Sequence, residues 1–241
     1  VKPAQSQHDQ DYFLYDQDML DQVGCLDFEV AHYRQQDALR GQAQGRGTTH
    51  FITIAGKLDG VLRHYRRGGF VARLTEDSYY WAGLNQTRAW REWHLLRTMQ
   101  EKQLPVPHPL AAHVKRRGLF YTADIITQQI PATHSLATVL GKAEISDELW
   151  RCLGKTIRQF HQQGVYHADL NAHNILIDEC EKMYLIDFDK GEQRAVSPAW
   201  QQANIDRLQR SLQKLKQQNP DGFHFSLHHW GAMLQAYSSG G

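Results

Sequence analysis

Three oxygen-bearing side chains stand at telling intervals in the second half of the 241-residue chain. Within VYHADLNAHNILIDECEKMYLIDFDK, residues 165–190, Asp169 is followed five positions later by Asn174, and Asp187 stands thirteen positions beyond that. Moving a phosphoryl group from ATP needs such a set. The charges of a triphosphate call for hard divalent cations, which prefer oxygen ligands, and a carboxylate with an amide oxygen can hold them. A second carboxylate can orient the attacking hydroxyl and accept its proton. Without that chemistry, Asp169 is a turn residue and the other two are polar groups at strand ends. Three residue types coinciding at these spacings weigh against the plainer reading.

For those groups to converge, a loop must run between a helix and a hairpin. The sequence supplies both. Ser146 can cap a helix whose Trp150, Leu153, Ile157 and Phe160 face inward, with Gly164 past its end. Two short strands follow, in NILID and MYLIDF. A further helix over about 199–217 buries Ile205, Leu208, Leu212 and Leu215. Upstream, GQAQGRGTTHFITIAG leads into a β-branched strand, KLDG reads as the turn, and VLRHYRRGG returns. On that returning strand Val61, Arg63 and Tyr65 share one face, because side chains alternate. From Thr87 the period becomes helical, with Trp90, Trp93, Leu96 and Met99 on one side. Pro105, Pro107 and Pro109 give an extended connection, GLFYTADII reads as a strand and IPATHSL as a loop. The order predicts a two-lobed α+β fold: an N-terminal lobe over 1–124 with a small antiparallel sheet and one main helix, and a mostly helical C-terminal lobe over 125–241.

Composition excludes several classes. Lys plus Arg total 27 against 26 Asp plus Glu, so no charge imbalance points to nucleic acid. No apolar run is long enough to cross a membrane, and the N-terminus lacks the pattern of a signal peptide. Three scattered cysteines without a CxxC exclude a disulfide scaffold and a cysteine-rich zinc module, and suit a reducing compartment. Of the fourteen histidines, His161, His167 and His173 straddle a helix end, a loop and a strand start, which prevents a shared ligand face. The first thirty residues hold seven acidic groups against Lys2, whereas 63–73, 115–117 and 207–216 are basic.

The stretch HADLNAHN resembles the H-R-D-L-x-x-x-N catalytic loop of the protein-kinase-like fold, and Asp187-Phe188-Asp189 resembles D-F-G. The resemblance implies that Asp169 is the catalytic base, with Asn174 and Asp187 as Mg2+ ligands and His167 anchoring the loop. It further implies that Gly45 and Gly47, in GRGTTHF, belong to a loop over the ATP phosphates, where glycine lets backbone amides come close. The next strand should carry a cation for the α- and β-phosphates, normally Lys. Here Arg63 holds that position, with Val61 toward the adenine, Glu92 as the helix carboxylate and Lys57 as a rival cation near the turn. Glu92 paired with Arg88 on the surface is the plainer alternative. Departures matter too. Ala168 and Asp189 replace an arginine and a glycine, Asn171 replaces the loop lysine, and no A-P-E follows. Those changes remove the activation segment that docks peptides, so no protein substrate is expected. Asn171 is either a sugar contact or a turn residue, and Lys190 either a phosphate contact or an exposed turn.

VLRHYRRGG, TRAWREWHLL, GVYHADLNAHNILID and IDFDKGE, with the RLQRSLQKL helix, are similar to the 3-deoxy-D-manno-octulosonic acid (Kdo) kinase family. The likeness runs over about 41–216. It implies Mg-ATP-dependent phosphorylation of the 4-OH of Kdo on a lipid A precursor, in lipopolysaccharide inner-core biosynthesis. It also implies a peripheral protein at the cytoplasmic face of the bacterial inner membrane. An anionic acceptor suits Arg66, Arg67, Arg73 and residues 115–117, while Arg207, Arg210 and Lys214 recur three and four apart as a candidate face for anionic headgroups or a merely solvated one. A phosphotransferase of the aminoglycoside or choline type and a nucleotide-binding pseudokinase are the alternatives. The first requires an acidic acceptor pocket, the second loss of turnover despite the intact trio.

Overall fold

A computed structural model of the chain describes residues 1–44, 48–66 and 77–239. They form two compact units, residues 1–102 with 107–129, and residues 103–106 with 130–241.

In the first unit the strands are β1 (Pro3–His8), β2 (Asp11–Asp16), β3 (Leu39–Gln44), β4 (Thr48–Ile54), β5 (Leu58–His64), β6 (Tyr79–Tyr80), β7 (Pro109–Arg117) and β8 (Phe120–Gln128). They pair antiparallel in the order β1-β2-β7-β8-β5-β4-β3, and β6 also pairs with β8. The helices are the short α1 (Val30–Gln35) and α2 (Arg88–Glu101). The expected α2 stripe of Trp90, Trp93, Leu96 and Met99 is buried. A second cluster joins Phe13, Phe28, Tyr33, Ile52, Leu62 and Leu110 on the sheet and beside α1.

Two local expectations are corrected here. The β4–β5 turn is not KLDG: Ala55 and Gly56 take φ of 49° and 68°, and the Lys57 amide donates to the Ile54 carbonyl at 3.1 Å. Two consecutive positive φ values make a tight hairpin turn whose twist suits its strands, so Leu58 onward is already strand. Pro109 starts β7 rather than closing a loop. The polar N-terminus also forms a hairpin, with Pro3 opposite Asp16 and His8 opposite Asp11.

The second unit contains β9 (Thr133–Ser135), α3 (Leu136–Leu140), α4 (Asp147–Gln162), β10 (Val165–Tyr166), β11 (Ile175–Asp178), β12 (Met183–Leu185), β13 (Glu192–Gln193), α5 (Pro198–Gln218) and α6 (Leu227–Ser238). Ser146 caps α4, accepting from the Leu149 amide at 3.2 Å, and Trp150, Leu153, Ile157 and Phe160 are buried as expected. IPATHSL differs from expectation, since residues 133–135 pair with β11. The helix α6 packs on α4 through Gly154, where a Cβ would come within 2.2 Å of the Met233 carbonyl oxygen. Only a residue without a side chain allows that approach.

Candidate active site

The bend between β10 and β11 is built around His167. This imidazole is buried, accepts from the Asp169 amide through Nδ1 at 3.1 Å and donates from Nε2 to the Ile186 carbonyl at 2.9 Å. Those partners require the neutral Nε2–H tautomer, and burial agrees by holding its pKa below the ordinary imidazole value. One ring thus ties the loop that carries Asp169 to the residue before Asp187. Phe188, fully buried, stacks on Phe160 with centroids 5.9 Å apart and lies 4.6 Å from the His167 ring. The Ile186 amide donates to the Asn174 carbonyl at 3.0 Å, closing the bend against the following segment. Asp187 itself adopts φ of 63°, a left-handed backbone that few non-glycine residues take and that recurs at functional sites.

Inside the bend, asparagine side chains replace water as partners for the backbone. Asn171 Oδ1 accepts from the His173 amide at 2.8 Å and the Asn174 amide at 3.2 Å, while its Nδ2 donates to the Asp169 carbonyl at 3.0 Å. That is the turn arrangement an Asx side chain favours. Asn174 Nδ2 also donates to the Asp169 carbonyl at 3.0 Å, leaving Oδ1 without a donor among the described residues. Lys190 is exposed with φ of 62°.

Helix α5 presses a polar stripe onto this bend, at positions 204, 207 and 211. Asn204 brackets His167, accepting from its amide at 3.2 Å and donating to its carbonyl at 3.0 Å. Ser211 accepts from the Ala172 amide at 3.3 Å. Between them, Arg207 donates to Asp169 Oδ1 from Nε at 2.9 Å and from Nη2 at 2.5 Å. The sequence reading had Arg207 on an outward basic face with Arg210 and Lys214. The structure corrects this, because position 207 shares the helix face of Asn204 and Ser211 beside the leucine stripe. The signal was visible: three polar residues at helical spacing next to Ile205, Leu208 and Leu212.

In the first unit, Arg63 of β5 donates through Nη2 to both carboxylate oxygens of Glu92, at 2.5 and 2.6 Å. Tyr65, on the same strand face, donates its hydroxyl to Glu92 Oε2 at 2.6 Å, and the Arg63 guanidinium lies 4.9 Å from the Tyr65 ring centre. Glu92 is only 4% exposed, which removes the alternative of a surface carboxylate. Val61 lies half-buried on the same strand. Gly45 and Gly47 lie outside the described residues, as do Arg67 and Arg73.

The other sheet face holds a chain of acids and imidazoles that sequence reading missed. His113 Nε2 lies 2.7 Å from Asp11 Oδ1 and its Nδ1 3.3 Å from Asp124 Oδ2; His64 Nδ1 lies 2.6 Å from Asp124 Oδ1. Burial pushes the Asp124 carboxyl up, but hydrogen bonds from His113 and His64 outweigh it and hold the pKa below the usual range. Near the C-terminus, His228 pairs with Asp147 and His229 with Glu144. Among the described residues no group of three or more His, Cys, Asp or Glu is arranged to hold a metal ion. An Asp187 carboxylate with an Asn174 amide oxygen is a different donor set, hard and oxygen-only. It fits Mg2+, which takes few protein ligands and completes its shell with phosphate oxygens and water.

Residues 30–237 match the family described as Lipopolysaccharide kinase (Kdo/WaaP) family. The chain is 39% identical over 235 residues to a 3-deoxy-D-manno-octulosonic acid kinase of Vibrio vulnificus (strain CMCP6), covering 98% of both chains. The protein of that name from Vibrio cholerae serotype O1 is 43% identical over 182 residues, 76% of this chain and 77% of the relative. That from Haemophilus influenzae (strain PittEE) is 35% identical over 240 residues, 97% and 98%.

Proposed function

Because the chain belongs to the lipopolysaccharide kinase (Kdo/WaaP) family, we propose that it transfers the γ-phosphoryl group of ATP to the 4-OH of Kdo carried on a lipid A precursor. The observation that carries the reading is the His167 bridge, which holds the Asp169 loop against the segment leading into Asp187.

In this mechanism Asp169 orients the acceptor hydroxyl and takes its proton as the oxygen–phosphorus bond forms and the bond to the ADP oxygen breaks. Arg207 fixes the orientation of the Asp169 carboxylate by its two contacts to Oδ1. Asn174 and Asp187 are the residues that would hold Mg2+, which when bound neutralises phosphate charge. Arg63, held by Glu92 and Tyr65, is assigned to the α- and β-phosphates, with Val61 against the adenine and Gly45 and Gly47 over the phosphates. The Arg63 guanidinium is flatter and broader than a lysine ammonium. Asn171 organises the bend through its own amide. Lys190, being exposed, is available to a phosphate of either substrate.

Among the described residues no helix is long and apolar enough to cross a membrane. A lipid-linked acceptor suits peripheral attachment at the cytoplasmic face of the inner membrane, where ATP is supplied. ATP turnover with Kdo-lipid A precursor, free Kdo, an aminoglycoside and a peptide mixture tests the reading. Phosphorylation of the Kdo acceptors alone, located at the 4-OH by mass spectrometry, is expected. Preference for the aminoglycoside would instead establish the small-molecule alternative, and absence of turnover with every acceptor the pseudokinase.

A further inference from the structure

The β7–β8 hairpin ends in KRRGLF, and its tip combines features that do not suit a surface facing only water. Arg117 pairs with Phe120, leaving Gly118 and Leu119 as a two-residue turn. Gly118 takes φ of 62°, the conformation that the first position of such a turn demands. Nothing in that geometry requires an apolar residue next, yet Leu119 is 64% exposed and Phe120 47%. Tyr80, directly opposite Phe120 on β6, is 64% exposed as well. These three are half of the six large apolar side chains that stand out most among the described residues, gathered at one point. Contiguous exposed apolar groups of this kind mark interaction sites.

Cations flank them. Arg117 is exposed, and Arg116 lies with its guanidinium 5.0 Å from the Trp81 ring centre. Trp81 in turn stacks on Tyr12 with centroids 5.6 Å apart. Lys115 is engaged by Asp11, which His113 also engages, and Asp9 sits on the neighbouring β1–β2 turn. Both carbonyls of the two-residue turn are already engaged. Arg116 Nε donates to the Gly118 carbonyl at 3.0 Å, and the Trp81 amide donates to the Leu119 carbonyl at 2.9 Å. Engaging both turn carbonyls lowers the cost of bringing the tip to a boundary of lower polarity, where unpaired backbone groups are expensive.

We propose that this hairpin tip is a shallow anchor for an anionic lipid bilayer. Leu119, Phe120 and Tyr80 enter the boundary between headgroups and acyl chains, and Arg116 and Arg117 meet lipid phosphates. Aromatic and apolar residues insert at that depth while arginines remain at the headgroups, and neither signal alone gives firm attachment. The anchor deepens the peripheral attachment proposed above, and so rests on it, while its test needs no turnover.

The full chain is sedimented with phosphatidylcholine vesicles containing or lacking phosphatidylglycerol. Leu119→Ser with Phe120→Ser is expected to lower partitioning onto the anionic vesicles by about tenfold or more, from the apolar area withdrawn. Arg116→Glu with Arg117→Glu should remove most of the dependence on phosphatidylglycerol. A Phe120→Trp reporter should be quenched by nitroxide-labelled acyl chains beyond the quenching of the wild-type protein. Unchanged partitioning in the serine variant, with its thermal midpoint preserved, overturns the proposal. So does a serine variant that leaves partitioning alone but turns a dimer into a monomer in sedimentation velocity, which would make the tip a contact between copies. Turnover on detergent-dispersed acceptor separates the two readings. A serine variant that releases vesicles but keeps turnover supports the anchor, whereas a wild-type chain that binds vesicles yet phosphorylates no Kdo acceptor ends the kinase reading and leaves the anchor standing.

Discussion

Arg63 with Glu92 in the first unit and Arg207 with Asp169 in the second are both arginine–carboxylate pairs at 2.5 Å, but their surroundings differ. The Glu92 side chain is 4% exposed and carries a second donor, Tyr65, whereas those of Asp169 and Arg207 are 29% and 41% exposed. A buried carboxylate stripped of its partners, or partners stripped of it, costs stability. An ion pair open to water contributes little, because solvent and salt screen it. The first pair therefore ties β5 to α2 through a buried carboxylate, and the second, in the proposed mechanism, orients the base.

The contrast predicts effects of declining size. Asp187→Ala should raise the concentration of Mg-ATP needed for half-saturation by about a hundredfold or more, read by equilibrium dialysis; unchanged affinity would contradict its place in the metal set. Glu92→Ala should destabilise the chain by about 1–3 kcal/mol, measured by denaturant unfolding, since it removes a buried partner that Arg63 and Tyr65 share. Arg207→Ala should change stability by only about 0–1 kcal/mol. Its kcat should nonetheless fall roughly tenfold, about 1.4 kcal/mol of barrier, with partial recovery in Arg207→Lys. Equal stability losses in the Glu92 and Arg207 variants would erase the distinction between the pairs.

The smallest effect concerns pH. Hydrogen bonding to Asp124 raises His64 above its ordinary 6.5, against the opposing pull of burial, and Asp77 adds to the rise while Arg66 opposes it. A raised pKa in the folded state means that the contribution is complete below pH 6.5 and fades as pH climbs through the folded value. The thermal midpoint should accordingly slope downward from about pH 6.5 into the alkaline range, and His64→Asn should flatten that slope.

Much of this was legible in the residues themselves. The stripes of α2 and α4 follow from three- and four-residue spacing of large apolar groups, and alternation along β5 put Arg63 and Tyr65 on one face before their shared partner was seen. The β1–β2 hairpin was hidden because its outer strand, PAQSQH, has almost no apolar pattern and is held by register alone. Helix α6 escaped because LHHWGAMLQAYS mixes histidine, glycine and apolar residues without a clean stripe. Arg207 was misread for a different reason. Its partner stands 38 positions away, and a cation on a helix says nothing about which tertiary neighbour it will meet.

The most direct test compares Asp169→Ala with the wild-type chain in Mg-ATP binding and in single-turnover transfer to Kdo-lipid A precursor. Binding within about threefold of wild type, with transfer slowed at least about a hundredfold, is the predicted result. Transfer at the wild-type rate would contradict the assignment of Asp169 as the base.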